Sequence, residues 1–166
     1  MKVEVQSKKG LRTILSVIVD KKTIQNKMDE RLNELQKEVS LKGFRTGKVP
    51  TSVIKSQFGK SIYGEVIDKI LREKIKKITP QIPIISEETV KISDKIENKN
   101  FWLIDPIDGT KEYIKKKDEY TLNAALILNL RPEIGIVYAP AKNRLFFSHG
   151  KGSAYEIRDK KTMRLN

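Results

Sequence analysis

The stretch Phe101-Trp102-Leu103-Ile104-Asp105-Pro106-Ile107-Asp108-Gly109-Thr110-Lys111-Glu112-Tyr113-Ile114 decides how this chain is read. Four apolar residues, Phe101 to Ile104, read as a buried strand that stops at Asp105, because Pro106 removes a backbone donor and fixes φ. The strand delivers a carboxylate to its own end. Asp105 and Asp108 lie three residues apart around a proline-induced turn, so both carboxylates can converge on one point, with the Ile107 carbonyl exposed between them. Clustered hard oxygens of this kind suit Mg²⁺. Gly109 lets the backbone approach an anion closely. Thr110 supplies a hydroxyl ahead of a helix expected from near Lys111, whose free N–H groups would favour phosphate. Asp-Pro and Asp-Gly are also ordinary turn pairs, and two aspartates in a loop are commonly just solvated.

The residues upstream shift the balance toward a site. Ile82 to Ile85 reads as a second apolar strand, ending in Ser86-Glu87-Glu88, so two strands end in acids. Pro83-Ile84-Ile85-Ser86-Glu87-Glu88 together with Trp102 to Glu112 resembles the inositol monophosphatase superfamily. Lysine after Gly-Thr, followed by Glu-Tyr-Ile, resembles its 3'(2'),5'-bisphosphate nucleotidase branch, the CysQ type. The resemblance covers roughly residues 72–157 and includes Val-Tyr-Ala-Pro-Ala at 137–141. It implies Mg²⁺-dependent hydrolysis of a phosphomonoester, a phosphorylated nucleotide such as 3'-phosphoadenosine 5'-phosphate or another small one. Glu87, Asp105, Asp108 and the Ile107 carbonyl would be the metal ligands, Glu87 and Thr110 the catalytic residues, and Gly109 and Thr110 the phosphate holders.

Two parts of that family's machinery have no counterpart in the residues. The aspartate that partners the threonine belongs to a segment before Ser-Glu-Glu, which other sequence occupies here. The resemblance further implies a domain after the strands that supplies another metal-ligating aspartate, and no counterpart of it is expected among these residues. Losing an orienting acid or base costs ~10²–10⁴-fold, so little or no catalysis is expected unless a homodimer supplies the missing ligands.

The first half carries a different signature. Lys2 to Gln6 and Leu11 to Asp20 read as a β-hairpin closed by Ser7-Lys8-Lys9-Gly10. After Asp20, an N-cap candidate, Ile24, Met28, Leu32, Leu35 and Val39 recur at helical spacing. The loop Leu41-Lys42-Gly43-Phe44-Arg45-Thr46-Gly47-Lys48-Val49-Pro50 follows. As a plain helix–helix turn, its glycine would cap the first helix and Pro50 would start the next. That leaves Phe44 beside Arg45 at an exposed tip unexplained, an arrangement more typical of docking. The loop resembles the signature of trigger factor, the ribosome-associated chaperone, and the likeness runs to about Leu71. It implies that Gly43, Phe44, Arg45, Gly47, Lys48 and Pro50 dock on the large ribosomal subunit near the peptide exit.

From Ser61 to Ile78 the apolar positions Ile62, Val66, Ile67, Ile70, Leu71, Ile75 and Ile78 mark one helix, so the changeover between the two likenesses falls inside a helix rather than a linker. The expected division is a trigger factor-like fragment at 1–71 and a partial nucleotidase-like domain at 72–166. Thr89 to Asn100 reads as a surface loop. Apolar runs at Tyr120–Leu130, Ile134–Ala139, Leu145–Phe147 and Ala154–Ile157 read as four antiparallel strands. The fold class is therefore α+β, an N-terminal hairpin and amphipathic helices followed by an antiparallel meander of the inositol monophosphatase type. His149, the single histidine, reads as exposed and structural.

The net charge of +13 favours a polyanionic partner, ribosomal RNA or a phosphorylated nucleotide, although lysine-rich solvated surfaces produce the same excess. With no cysteine, disulfides and thiolate metal sites are excluded. No apolar run approaches the ~20 residues that span a bilayer and no signal-peptide core opens the chain, so a cytoplasmic protein without a membrane partner is expected. Three functions follow for testing: a phosphatase core, a ribosome-docking fragment, and a fusion product with no selected activity.

Overall fold

The computed structural model describes residues 2–9, 12–18, 21–88, 98–115, 117–150 and 152–165. Strands β1 (Lys2–Lys9) and β2 (Arg12–Ile18) form a two-stranded antiparallel hairpin. Its register shifts between Val5 and Ser7, so Ser7, Lys8 and Lys9 belong to the strand and not to the expected turn. Gly10 of the expected turn, Leu11 and the N-cap candidate Asp20 lie outside the described residues.

Two helices follow, α1 (Lys21–Glu38) and α2 (Thr51–Ile78). The chain divides into two compact units, Met1–Ile67 and Asp68–Asn166, and the division falls within the continuous α2. In the first unit the helical spacing buries Met28 and Leu32 on α1 and Ile62, Val66 and Ile67 on α2, with Ile24 and Leu35 half-buried, and Ile54 of α2, not among the expected positions, is buried as well. Arg31 Nε on α1 bonds Glu65 Oε2 on α2 at 2.9 Å.

The second unit is built on a seven-stranded sheet in the order β3-β4-β5-β6-β7-β8-β9. These are β3 (Ile84–Ser86), β4 (Phe101–Asp108), β5 (Thr121–Leu128), β6 (Arg131–Ala139), β7 (Arg144–His149), β8 (Ala154–Arg158) and β9 (Lys161–Leu165), with a short helix α3 (Thr110–Ile114) after β4. Among the described strands only β3 and β4 pair in parallel. The sheet is therefore mostly antiparallel, the α+β arrangement expected. Ile75 of α2 packs with Trp102, Ile104 and Leu126, and Leu71, Ile84, Ala124, Ile134 and Ile136 close around that cluster. Trp102 Nε1 finds its polar partner in Thr79 Oγ1 at 3.0 Å, just past the end of α2.

Four expectations change. The strand at 82–85 is shorter and shifted, Ile84–Ser86. Leu103 is 45% exposed, because successive side chains of a strand alternate between faces and only the Trp102/Ile104 face meets α2. A fifth meander strand, β9, follows β8 through Asp159 and Lys160, both at positive φ (50° and 63°) as a two-residue hairpin turn requires. His149 is half-buried at the end of β7, stacked on Tyr155 with ring centroids 5.3 Å apart. The segment 89–97, most of the expected surface loop, lies outside the described residues.

Candidate metal centre and docking loop

The acidic site is organised by one irregularity in β4. The strand does not stop at Asp105; it continues to Asp108 with a register shift between the two aspartates. Asp105 pairs with Asn123 and Asp108 with Thr121, so three steps on β4 face two on β5. The extra residue is a β-bulge, and Pro106, which cannot donate to a ladder, lies inside it. In a regular strand residues three apart point to opposite faces. The bulge cancels that inversion, because Asn123 and Thr121 share a face. Both carboxylates consequently lie on one side of the sheet, where Asn123 Nδ2 donates to Asp108 Oδ2 at 3.3 Å.

Glu87 arrives from the neighbouring element. Its N–H donates to the Ile104 carbonyl at 3.1 Å, which carries the parallel β3–β4 pairing one residue past the end of β3. Its side chain meets Asp105. Burial first, and then the charge and hydrogen bond of Glu87, push the Asp105 carboxyl up from 3.8 to about 6; Asp108 adds a smaller repulsion, and the Ile107 N–H, 3.1 Å from Asp105 Oδ1, opposes the rise. Two acids pressed together in this way favour a shared proton or an intervening cation.

The residues after the bulge are held from within the chain. The Thr110 hydroxyl donates to the Ile107 carbonyl at 3.1 Å, which leaves that oxygen one further lone pair. Gly109 stands at φ 81°, and a Cβ there would lie 2.6 Å from the Glu119 carbonyl oxygen. Its glycine is thus required by the close passage of residues 119–120 over the turn, a constraint that local sequence does not reveal. Tyr113 and Tyr120 meet edge to face at 5.0 Å beside it. Of the expected lysine run, Lys115 and Lys117 are exposed, and Lys116 lies outside the described residues.

The donor chemistry, carboxylates and a carbonyl, fits a hard divalent cation such as Mg²⁺. Its convergence is incomplete: among the described residues no three Asp, Glu or His side chains form a group that could hold a metal ion. The structure brings Glu87 against Asp105, with Asp108 on the same side.

The basic loop belongs to the first unit. Helix α1 ends at Glu38, earlier than its spacing suggested, so Gly43 is not its cap. The glycines instead occupy the third position of two successive turns, closed by Phe44 N–H to the Leu41 carbonyl at 3.0 Å and by Lys48 N–H to the Arg45 carbonyl at 2.9 Å. Gly43 and Gly47 have φ of 90° and 78°, which that position of a type II turn demands. Sequence reasoning missed the anchor: Val49 is fully buried and its carbonyl accepts from Gln36 Nε2 at 2.7 Å. Pro50 opens α2, its carbonyl accepting from the Val53 and Ile54 N–H groups. The loop thereby holds Phe44, 41% exposed, at its tip beside the exposed Arg45 and Lys48.

A family model of bacterial trigger factor protein matches residues 1–142. The chain belongs to the bacterial trigger factor family. It is 52% identical over 73 residues to the trigger factor of Pelagibacter ubique (strain HTCC1062), an alignment covering 44% of this chain and 15% of that protein. The family match extends beyond Leu71, where the likeness read from the loop and helix ends, and takes in the Asp105 bulge. A second likeness accompanies it. The chain is 39% identical over 88 residues to the 3'(2'),5'-bisphosphate nucleotidase CysQ of Escherichia coli O6:H1 (strain CFT073), covering 52% of this chain and 35% of that protein. The crystal structure of an IMPase/NADP phosphatase complexed with Mg²⁺ and phosphate superposes with a TM-score of 0.51 and 22% identity, over 56% of this chain and 35% of that one. The chain thus joins a trigger factor likeness to a nucleotidase likeness on an inositol monophosphatase-type sheet, and spans 15% and 35% of the lengths of these two relatives.

Proposed function

We propose that residues 72–166 form a divalent-metal phosphomonoester site of the bisphosphate nucleotidase type, and that residues 1–71 carry a ribosome-docking loop. The first part is supported above all by the bulge that turns Asp105 and Asp108 to one side of the sheet while Glu87 presses on Asp105. Glu87, Asp105, Asp108 and the Ile107 carbonyl would hold Mg²⁺, which when bound supplies an activated water and charge neutralisation at phosphate. The Thr110 hydroxyl orients the Ile107 carbonyl toward that site through its 3.1 Å bond. The N–H groups of Gly109 and Thr110, at the entry to α3, would hold the phosphate of 3'-phosphoadenosine 5'-phosphate. Glu87 and Thr110 would be the catalytic residues of this site. Turnover is expected to be slow, since positioning dominates phosphoryl transfer and, among the described residues, no three acidic groups close on one point. A second copy of the chain would add ligands.

The deciding experiment is phosphate release from 3'-phosphoadenosine 5'-phosphate with and without Mg²⁺, with Asp105→Asn alongside. Mg²⁺-dependent release, absent from the variant, is expected; release that ignores both Mg²⁺ and the substitution would sink the reading.

The docking reading has its own observation, the exposed Phe44 next to Arg45 on a loop that also exposes Lys48 and is pinned at Val49. The chain should cosediment with large ribosomal subunits in a salt-sensitive manner. Phe44→Ala and Lys48→Ala should each reduce the bound fraction by about tenfold, the loss typical of a contact residue worth more than ~1 kcal/mol. Binding that survives both substitutions would remove the loop from the interface. Both readings place the chain in the cytoplasm.

A further inference from the structure

We infer that Arg72, seated by Asp68, is the positioning residue that sets Glu87 against Asp105; this rests on the metal and phosphate reading of that site. Strand β3 is three residues long and forms one edge of the sheet, so among the described strands it has a single neighbour, β4. Two backbone bonds bracket their pairing, Trp102 N–H to the Pro83 carbonyl at 2.8 Å and Glu87 N–H to the Ile104 carbonyl at 3.1 Å. Because backbone groups alternate along a strand, the carbonyl next to that of Pro83 turns to the outer edge, where no described strand receives it. That carbonyl belongs to Ile84. Arg72 Nη1 donates to it at 3.1 Å.

Arg72 is itself aimed by its own helix. Its Nε donates to Asp68 Oδ2 at 2.7 Å, one helical turn earlier, and Asp68 is 6% exposed. The planar guanidinium spans both acceptors with two different nitrogens, tying α2 to the open edge of β3. Glu87 stands three residues after Ile84 on a short segment held by one described strand only. A rotation or slip of β3 therefore passes directly to the Glu87 carboxylate, and the Arg72 bridge opposes it. The Thr79 and Trp102 bond secures the neighbouring strand in the same way but does not reach β3.

Removing Arg72 alone strands the Asp68 carboxylate in a buried place, so the informative variants avoid that. Arg72→Lys keeps a cation beside Asp68, but a single ammonium does not reproduce the fork. The pair Asp68→Leu with Arg72→Met removes both charges together. The full chain and both variants are compared by amide hydrogen exchange and by titration with Mg²⁺ alone. The Glu87 N–H should exchange about tenfold faster in both variants, while Ala125 and Ile136 in the sheet centre keep wild-type protection. The Mg²⁺ dissociation constant should rise about tenfold, as for other residues that orient metal ligands. Unchanged Glu87 exchange overturns the inference, as does acceleration spread evenly over the sheet, which would make Arg72 a general stabiliser. Selective loosening of Glu87 in a chain whose wild type takes up no Mg²⁺ would retain Arg72 as the anchor of Glu87 and reject the metal reading instead.

Discussion

Gly109→Ala should destabilise the second unit by about 2–4 kcal/mol and abolish any Mg²⁺ response. Two costs combine. An L-residue in the left-handed region costs roughly 1–2 kcal/mol, and Gly109 lies at φ 81°. The added methyl would also sit 2.6 Å from the Glu119 carbonyl oxygen and 3.2 Å from Tyr120 Cα, both backbone atoms that cannot swing aside like a side-chain tip. The turn carrying Asp108 must then open. Gly152 provides the control, because it has a similar φ of 70° and a Cβ added there would meet nothing within 4 Å among the described residues. Urea unfolding followed by the fluorescence of Trp102 should place Gly152→Ala near the backbone cost alone. Equal losses at the two glycines would show that the passage of residues 119–120 over the turn does not matter.

Asp105→Asn should reverse sign with Mg²⁺. In metal-free solution the wild-type Asp105 carboxyl is raised to about 6, chiefly by burial and then by Glu87. A carboxyl raised in the folded state contributes stability fully below its unfolded value, and that contribution is lost as pH climbs through the folded one. The wild type should therefore weaken between pH 3.8 and about 6. The loss should be of order 1 kcal/mol after discounting for the partial exposure of the group to solvent. The asparagine variant cannot ionise and should lack this step, so at pH 7 without metal it should melt higher than wild type. Added Mg²⁺ should raise the wild-type midpoint and leave the variant unmoved. Parallel pH profiles for the two proteins would mean that neither burial nor Glu87 raises the Asp105 carboxyl in solution.

The legible parts of this molecule share one property: their signals are local. Helix α2 was readable because Ile62, Val66, Ile67, Ile70 and Ile75 recur at a spacing that fixes their face whatever lies opposite, and all five are buried. The candidate acids were readable because aspartate, proline and glycine in that order restrict the backbone on their own. The missed parts needed a partner strand. Asp159 and Lys160 make the turn into β9, but the alternation in Lys161 to Leu165 amounts to only two apolar residues, Met163 and Leu165, too short a pattern to mark a strand on its own. The exposure of Leu103 was equally hidden, since four consecutive apolar residues do not say which face will be covered.

By itself the sequence determined the residue types at the site, the glycines, aromatic and cations of the basic loop, and the likeness to two families. Only the tertiary structure decided that Asp105 and Asp108 share a side, because that depends on one extra residue measured against β5. It also decided why Gly109 must be glycine and how Arg72 reaches β3, since both answers lie in backbone carbonyls at Glu119 and Ile84 that chain folding alone brings near. Local conformational preference is written in neighbouring residues. Convergence is a property of register and packing.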